Sequence, residues 1–227
     1  HRDLHSFPTR RSSDLDKSVT NMGSSYNIHR LVWSLFSKGF DEKRSFLYRQ
    51  ESDGTVPTFY IVSESEPEAE SDLWDFNVKS YEPVLRSGQE LSFSLRANPI
   101  ISKRDENGKQ HRHDVVMDEK FSMKKESSGK DSCPSVSEIV QRKGVEWLQK
   151  KADKSGFSID EEQVRADGYR NHKFYKPNGK HNISFNTIDF TGALTVTHPE
   201  LFKQALFNGI GPAKGFGCGL LLVRPMR

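Results

Sequence analysis

HPELFKQALFNGIGPAKGFGCGLLLVR, residues 198–224, reads as a helix, a glycine-dense segment and a closing strand in direct succession. Five glycines (Gly209, Gly211, Gly215, Gly217 and Gly219) fall within eleven positions. Glycine is costly in backbone entropy, so such density means sharp turns or a close approach of the backbone to something else. Two nucleotide-binding readings fail. A P-loop needs G-x-x-x-x-G-K-[ST], and Gly215 is followed by Phe216. A dinucleotide fingerprint follows a strand and opens a helix, whereas this segment follows a helix and enters a strand. Two readings stay open on these residues: a tight helix-to-strand connection, or a loop whose N–H groups and Lys214 approach an anion.

Working outward, the same half of the chain carries a strand at ELSFSLRAN (90–98) and a helix at VSEIVQRKGVEWLQKKADKSG (136–156). Strands follow near 157–170 and 181–197. Residues 104–135 are polar and rich in Lys, Ser and Glu without periodicity, which predicts a mobile loop. LRSGQ marks a domain boundary near residue 88. Ahead of it, SYNIHRLVWSLFSKG predicts a helix from Ser25 to Ser37, closed by Gly39. At ~100° per residue Ile28, Leu31, Val32, Leu35 and Phe36 share one apolar face, with Tyr26, His29, Arg30 and Trp33 in a stripe beside it. SFLYRQ and TFYIVSES read as a hairpin across SDGTVP, and FNVKSYEP as a strand ended by Pro83. Both halves then give strand–helix–strand–strand–helix–strand, the first lacking its opening strand and holding a weak second helix. That order is the split βαβ unit. The expected fold is α+β, two tandem ferredoxin-like domains over residues 16–88 and 89–227.

Composition narrows the class. A net charge of +3 is mildly basic, so a nucleic-acid partner must be argued from local patches. Fifteen phenylalanines give bulk for small cores, and no run approaches the roughly 18 apolar residues of a membrane span. Two cysteines, Cys133 and Cys218, make neither a disulfide framework nor a zinc site, which fits a reducing cytosol and predicts a cytoplasmic protein without membrane partners. HRDLHSFPTRRSSDL, residues 1–15, has no apolar core of a signal peptide and resembles one reading frame of a sequencing adaptor. It is read as a cloning or assembly scar that replaces the opening strand.

The glycine segment also matches G-h-G-x5-G-h-G, with Gly209, Gly211, Gly217 and Gly219 in register. That resembles the glycine-rich loop of the RAMP superfamily of CRISPR-associated RNA-binding proteins. With YNIHRLVWSLF near the start and LSFSLRANPI at mid-chain, the ordered trio is similar to the CasE family, endoribonucleases that process repeat RNA in type I-E CRISPR systems. The resemblance runs from residue 26 to the C-terminus. It implies RNA cleavage without metal, by attack of a 2′-hydroxyl on the adjacent phosphate. A 2′,3′-cyclic phosphate and a 5′-hydroxyl result, and the protein stays on the hairpin beside other Cascade subunits.

By the motif the catalytic histidine is His29 and the assisting tyrosine Tyr26. Histidine suits proton transfer because its ordinary pKa lies near 6.5, and the i, i+3 spacing puts both on one helical surface. Candidates for RNA grip are Arg30, Arg96, Lys103, Arg104 and Lys214, with the five glycines admitting phosphate to the backbone. His111 and His113 sit as H-R-H in the polar stretch without a third ligand, and His172, His181 and His198 read as surface residues near turns. No cofactor or metal is expected. A non-catalytic RNA-binding subunit on the same scaffold is the competing reading.

Overall fold

The computed structural model describes residues 3–6, 25–36, 44–51, 57–68, 74–126, 134–175 and 182–226. The first unit comprises β1 (Asp3–Ser6), α1 (Ser25–Trp33), β2 (Phe46–Glu51), β3 (Thr58–Ser63) and β4 (Val78–Ser80). Its four strands lie in the order β2-β3-β1-β4, with every pair antiparallel. The apolar stripe of α1 explains its seat: Ile28, Val32 and Leu35 pack on Phe46, Tyr48, Phe59 and Ile61. The helix is shorter than its periodicity suggests. After Trp33 the chain tightens into i to i−3 bonds, Leu35 N–H to the Val32 carbonyl and Phe36 N–H to the Trp33 carbonyl. Ser37 and Gly39 lie outside the described residues, and no second helix is present among the described residues between β3 and β4.

The place expected to be vacant is filled. Asp3–Ser6, within the segment read as a scar, run between β3 and β4, with Leu4 opposite Val62 on one side and Lys79 on the other. Ladder pairing uses backbone groups common to all residues, so a short extended segment can occupy this slot without an apolar pattern of its own.

The second unit comprises β5 (Glu90–Ala97), β6 (Ile100–Arg104), β7 (Gln110–Asp114), α2 (Val115–Glu126), α3 (Val136–Ala152), β8 (Phe157–Ile159), β9 (Arg165–Tyr175), β10 (Asn182–Val196), α4 (Pro199–Asn208) and β11 (Leu221–Pro225). Its main sheet runs β11-β5-β10-β8, and β9 pairs along the first part of β10. Strict alternation buries Leu91, Phe93, Leu95 and Ala97 of β5 against Ile139, Trp147 and Leu148 of α3 and Phe202 and Leu206 of α4. A capping box opens α3, in which the Ser135 hydroxyl accepts from Glu138 N–H and the Glu138 carboxylate from Ser135 N–H. These are two ferredoxin-like sheets in tandem.

Residues 104–135 differ from the loop expected of them. Residues 100–104 and 110–114 form the β6–β7 hairpin, closed by Asp105, whose carboxylate accepts from the N–H groups of Asn107 and Lys109. Asp114 then caps α2 through Val116 N–H and Met117 N–H. Val115 and Val116 of α2 are buried in the core and Met123 packs against it, while Met117 and Phe121 are exposed, so the helix carries almost no apolar periodicity to read. His111 and His113 therefore lie on a strand, and His111 pairs with Asp105.

The two units meet where Leu47 and Val62 pack on Leu220, edged by Tyr60, Tyr81 and Phe207. A cleft of about 630 Å³ opens beside this joint between β3, β5 and β11, and His29 is not among its lining residues.

Candidate active site

The glycine segment lies between the units and is bonded to α1 at His29. His29, half-buried, donates from Nδ1 to the Gly215 carbonyl at 2.5 Å. The same carbonyl accepts from the Tyr48 hydroxyl of β2 at 3.1 Å. Because Nδ1 must carry the proton to donate, the neutral ring keeps Nε2 as a free lone pair. Burial lowers the His29 pKa below 6.5; the Gly215 bond opposes this and the Arg44 charge adds to it. The imidazole is therefore neutral at pH 7. Burial, followed by the influence of Cys218, raises the Tyr48 phenol above its ordinary range, so it remains a donor. The His29 ring is flanked by Trp33 and Phe216, each with its centroid 5.5 Å away.

Four of the glycines are explained by packing. A side-chain carbon on Gly209 would meet Leu47 and the Gly219 carbonyl, on Gly211 the Trp147 ring, and on Gly217 the Tyr48 ring. Gly219 has φ +89, and its N–H donates to the Arg96 carbonyl while its own carbonyl accepts from Ile210 N–H. Gly215 is different. Its φ is ordinary, and a carbon there would lie 3.4 Å from His29 Cε1 and 3.7 Å from Arg44 Nη1.

Of the residues expected from sequence, His29, Gly215 and Lys214 come together. Tyr26 lies one turn before His29 on α1, and its side chain is outside the described positions. Arg30 is exposed beside His29. Lys214 has its pKa lowered, first by burial and then by Arg44 and Lys151. Arg96 does not stand free for RNA. Its guanidinium makes a bidentate pair with Asp189 at 2.7 and 3.0 Å and also donates to the Gln50 carbonyl, tying the second sheet to β2. Lys103 is paired with Asp118 at 2.6 Å, and Arg104 ends β6 in the open.

Sequence reasoning missed Tyr48, Arg44 and an aromatic run leading away from His29. Phe216 meets Phe185 at 5.3 Å, and Phe185 stacks on His172 at 5.1 Å. His172 is thus half-buried in mid-strand, bonded to the Thr187 hydroxyl, rather than a surface residue near a turn. His198 does precede α4 in the open, and His181 lies outside the described residues. Among the described residues no group of three or more His, Cys, Asp or Glu side chains could hold a metal ion. No helix among them is long and apolar enough to cross a membrane.

A protein-family model described as "CRISPR associated protein" matches residues 7–225. The chain belongs to this CRISPR-associated family. Among its relatives, the CRISPR system Cascade subunit CasE of Escherichia coli (strain K12) is 29% identical over 203 residues, covering 88% of this chain and 92% of that protein. The CRISPR-associated endoribonuclease Cse3 of Thermus thermophilus is 27% identical over 221 residues, covering 90% of this chain and 92% of that protein. The fold of this family member is also that of Thermus thermophilus Cse3 bound to an RNA representing a pre-cleavage complex, with TM-score 0.71, 23% identity and 99% of each chain covered. Escherichia coli Cas6e gives TM-score 0.64 at 23% identity over the whole of both chains.

Proposed function

We propose that this protein is a metal-independent endoribonuclease that cuts CRISPR repeat hairpins and remains on its product as a Cascade subunit. The observation that carries the reading is the His29 imidazole, fixed through Nδ1 by the Gly215 carbonyl so that Nε2 keeps its lone pair, with the Arg44 charge nearby. Nε2 accepts the proton of a ribose 2′-hydroxyl as O2′ attacks the adjacent phosphorus. The P–O5′ bond breaks, leaving a 2′,3′-cyclic phosphate, and the departing 5′-oxygen takes a proton to become a hydroxyl. Tyr26 suits that last role, since a phenol donates well and is a poor base. Lys214, on the glycine segment next to Gly215, supplies positive charge to the RNA backbone. The relatives named as a Cascade subunit and an endoribonuclease support both halves of the reading.

Incubation with the cognate repeat RNA in EDTA tests it. Cyclic-phosphate and 5′-hydroxyl ends are expected. RNA that stays bound and intact would make the protein a binding subunit, and cleavage lost in EDTA would remove metal independence.

A further inference from the structure

Arg44 stands at the head of β2, where nothing in the sequence motifs points to it. Its guanidinium reaches the same small space over Gly215 that the His29 ring borders, with Nη1 3.7 Å and His29 Cε1 3.4 Å from one point above the Gly215 backbone. A phosphate group in this space can accept from Arg44 Nη1 while the neighbouring ribose 2′-hydroxyl donates to His29 Nε2, since each hydrogen bond spans about 2.8 Å. The side chain is half-buried, its Nε is fully covered, and that atom has no hydrogen-bond partner among the described residues. No carboxylate among the described residues pairs with it either. The charges around it are of like sign or neutral: His29, Lys214 and the Tyr48 phenol.

A half-buried guanidinium with five donors and no acid beside it among the described residues is an unfavourable arrangement in the free protein. It becomes favourable when an anion enters. Arg96 shows the contrast within this chain, since its guanidinium is saturated by Asp189 and Gln50.

We infer that Arg44 is a further catalytic residue, whose guanidinium donates to a non-bridging oxygen of the scissile phosphate while His29 takes the 2′-proton. The phosphate carries one negative charge in the ground state and two in the phosphorane. A fixed cation at this oxygen therefore binds the transition state more strongly than the substrate. Its second effect is on His29: a permanent positive charge nearby disfavours protonation and keeps Nε2 available as a base.

The inference rests on the nuclease reading above, and the test separates the two. Wild-type protein is first shown to cleave the repeat hairpin in EDTA; failure there overturns the nuclease reading and this residue's role with it. Arg44→Gln should then slow single-turnover cleavage by about 10²–10³-fold, the usual loss for one preorganised donor, with a much smaller change in hairpin affinity. Sulfur replacing one non-bridging oxygen at the scissile phosphate should slow the wild type and have a far smaller effect on Arg44→Gln. Arg44→Lys, which keeps charge and loses the planar fork, should fall between them and serves for the sulfur comparison if the Gln variant does not fold. Wild-type rates in Arg44→Gln, or an equal sulfur penalty in wild type and variant, would overturn the assignment.

Discussion

Removing a single oxygen, by Tyr48→Phe, separates positioning from chemistry at this site. Tyr48 is 2% exposed and its ring packs in the core of the first unit, so the phenylalanine keeps its packing. Only the 3.1 Å bond to the Gly215 carbonyl is lost. That carbonyl still accepts from His29, so it is not orphaned, and the net loss is that of an ordinary hydrogen bond, about 1 kcal/mol. For a chain of this size the loss lowers Tm by roughly 2–4 °C. If the whole of that energy is felt in holding His29 for attack, single-turnover cleavage slows about fivefold, and in no case by more than about tenfold. Hairpin affinity should not change, because Tyr48 is buried. Differential scanning calorimetry and quenched-flow cleavage on one preparation provide both numbers. A loss beyond about 100-fold would mean that Tyr48 takes part in the chemistry, and an unchanged Tm and rate would mean that the carbonyl is held by other contacts.

The pH dependence follows from His29, whose pKa is lowered below 6.5 chiefly by burial. The base form is needed, so cleavage should be flat above about pH 6.5 and decline only below it; a rate still climbing through pH 7 would contradict the lowered value. The folded state binds fewer protons than the unfolded chain here, so this residue's share of stability falls as pH drops through 6.5, seen as a falling Tm. Arg96→Ala leaves Asp189 unpaired, each side chain about a fifth to a quarter exposed, and should destabilise the fold by about 2 kcal/mol after allowing for solvent; equal Tm values would show the brace to be idle. Gly219→Ala combines φ +89 with a carbon 2.8 Å from the Ile210 carbonyl oxygen, and should cost roughly 1–3 kcal/mol. Gly215→Ala has neither problem, so it should keep Tm while slowing cleavage by filling the space between His29 and Arg44.

How far these features were legible differs by element. The alternation in ELSFSLRA and the amphipathic run that begins after Ser135 give β5 and α3 directly, because their burial follows from side-chain period. The β6–β7 hairpin and α2 lie at the surface, where polar residues on both faces erase the period; the turn at Asp105–Gly108 was the signal available. The strand at Asp3–Ser6 depends on backbone pairing with β3 and β4, which no side-chain pattern announces. At the site, His29 was legible through YNIH alone. Its partner carbonyl is 186 residues away, and what recognises it is a backbone atom without residue identity. Arg96 shows the reverse error: an arginine in a strand reads as a phosphate ligand until the facing Asp189 of β10 is seen.

The central claim is that His29 is the base of a metal-free RNA cleavage. Single-turnover cleavage of the repeat hairpin in EDTA by wild type and His29→Ala, with hairpin affinity measured alongside, tests it most directly. The rate of the variant should fall by roughly 10²–10⁴-fold at nearly unchanged affinity, with cyclic-phosphate ends in the wild-type product. A variant that cleaves at the wild-type rate, or wild-type products ending in a 3′-hydroxyl, would contradict the account.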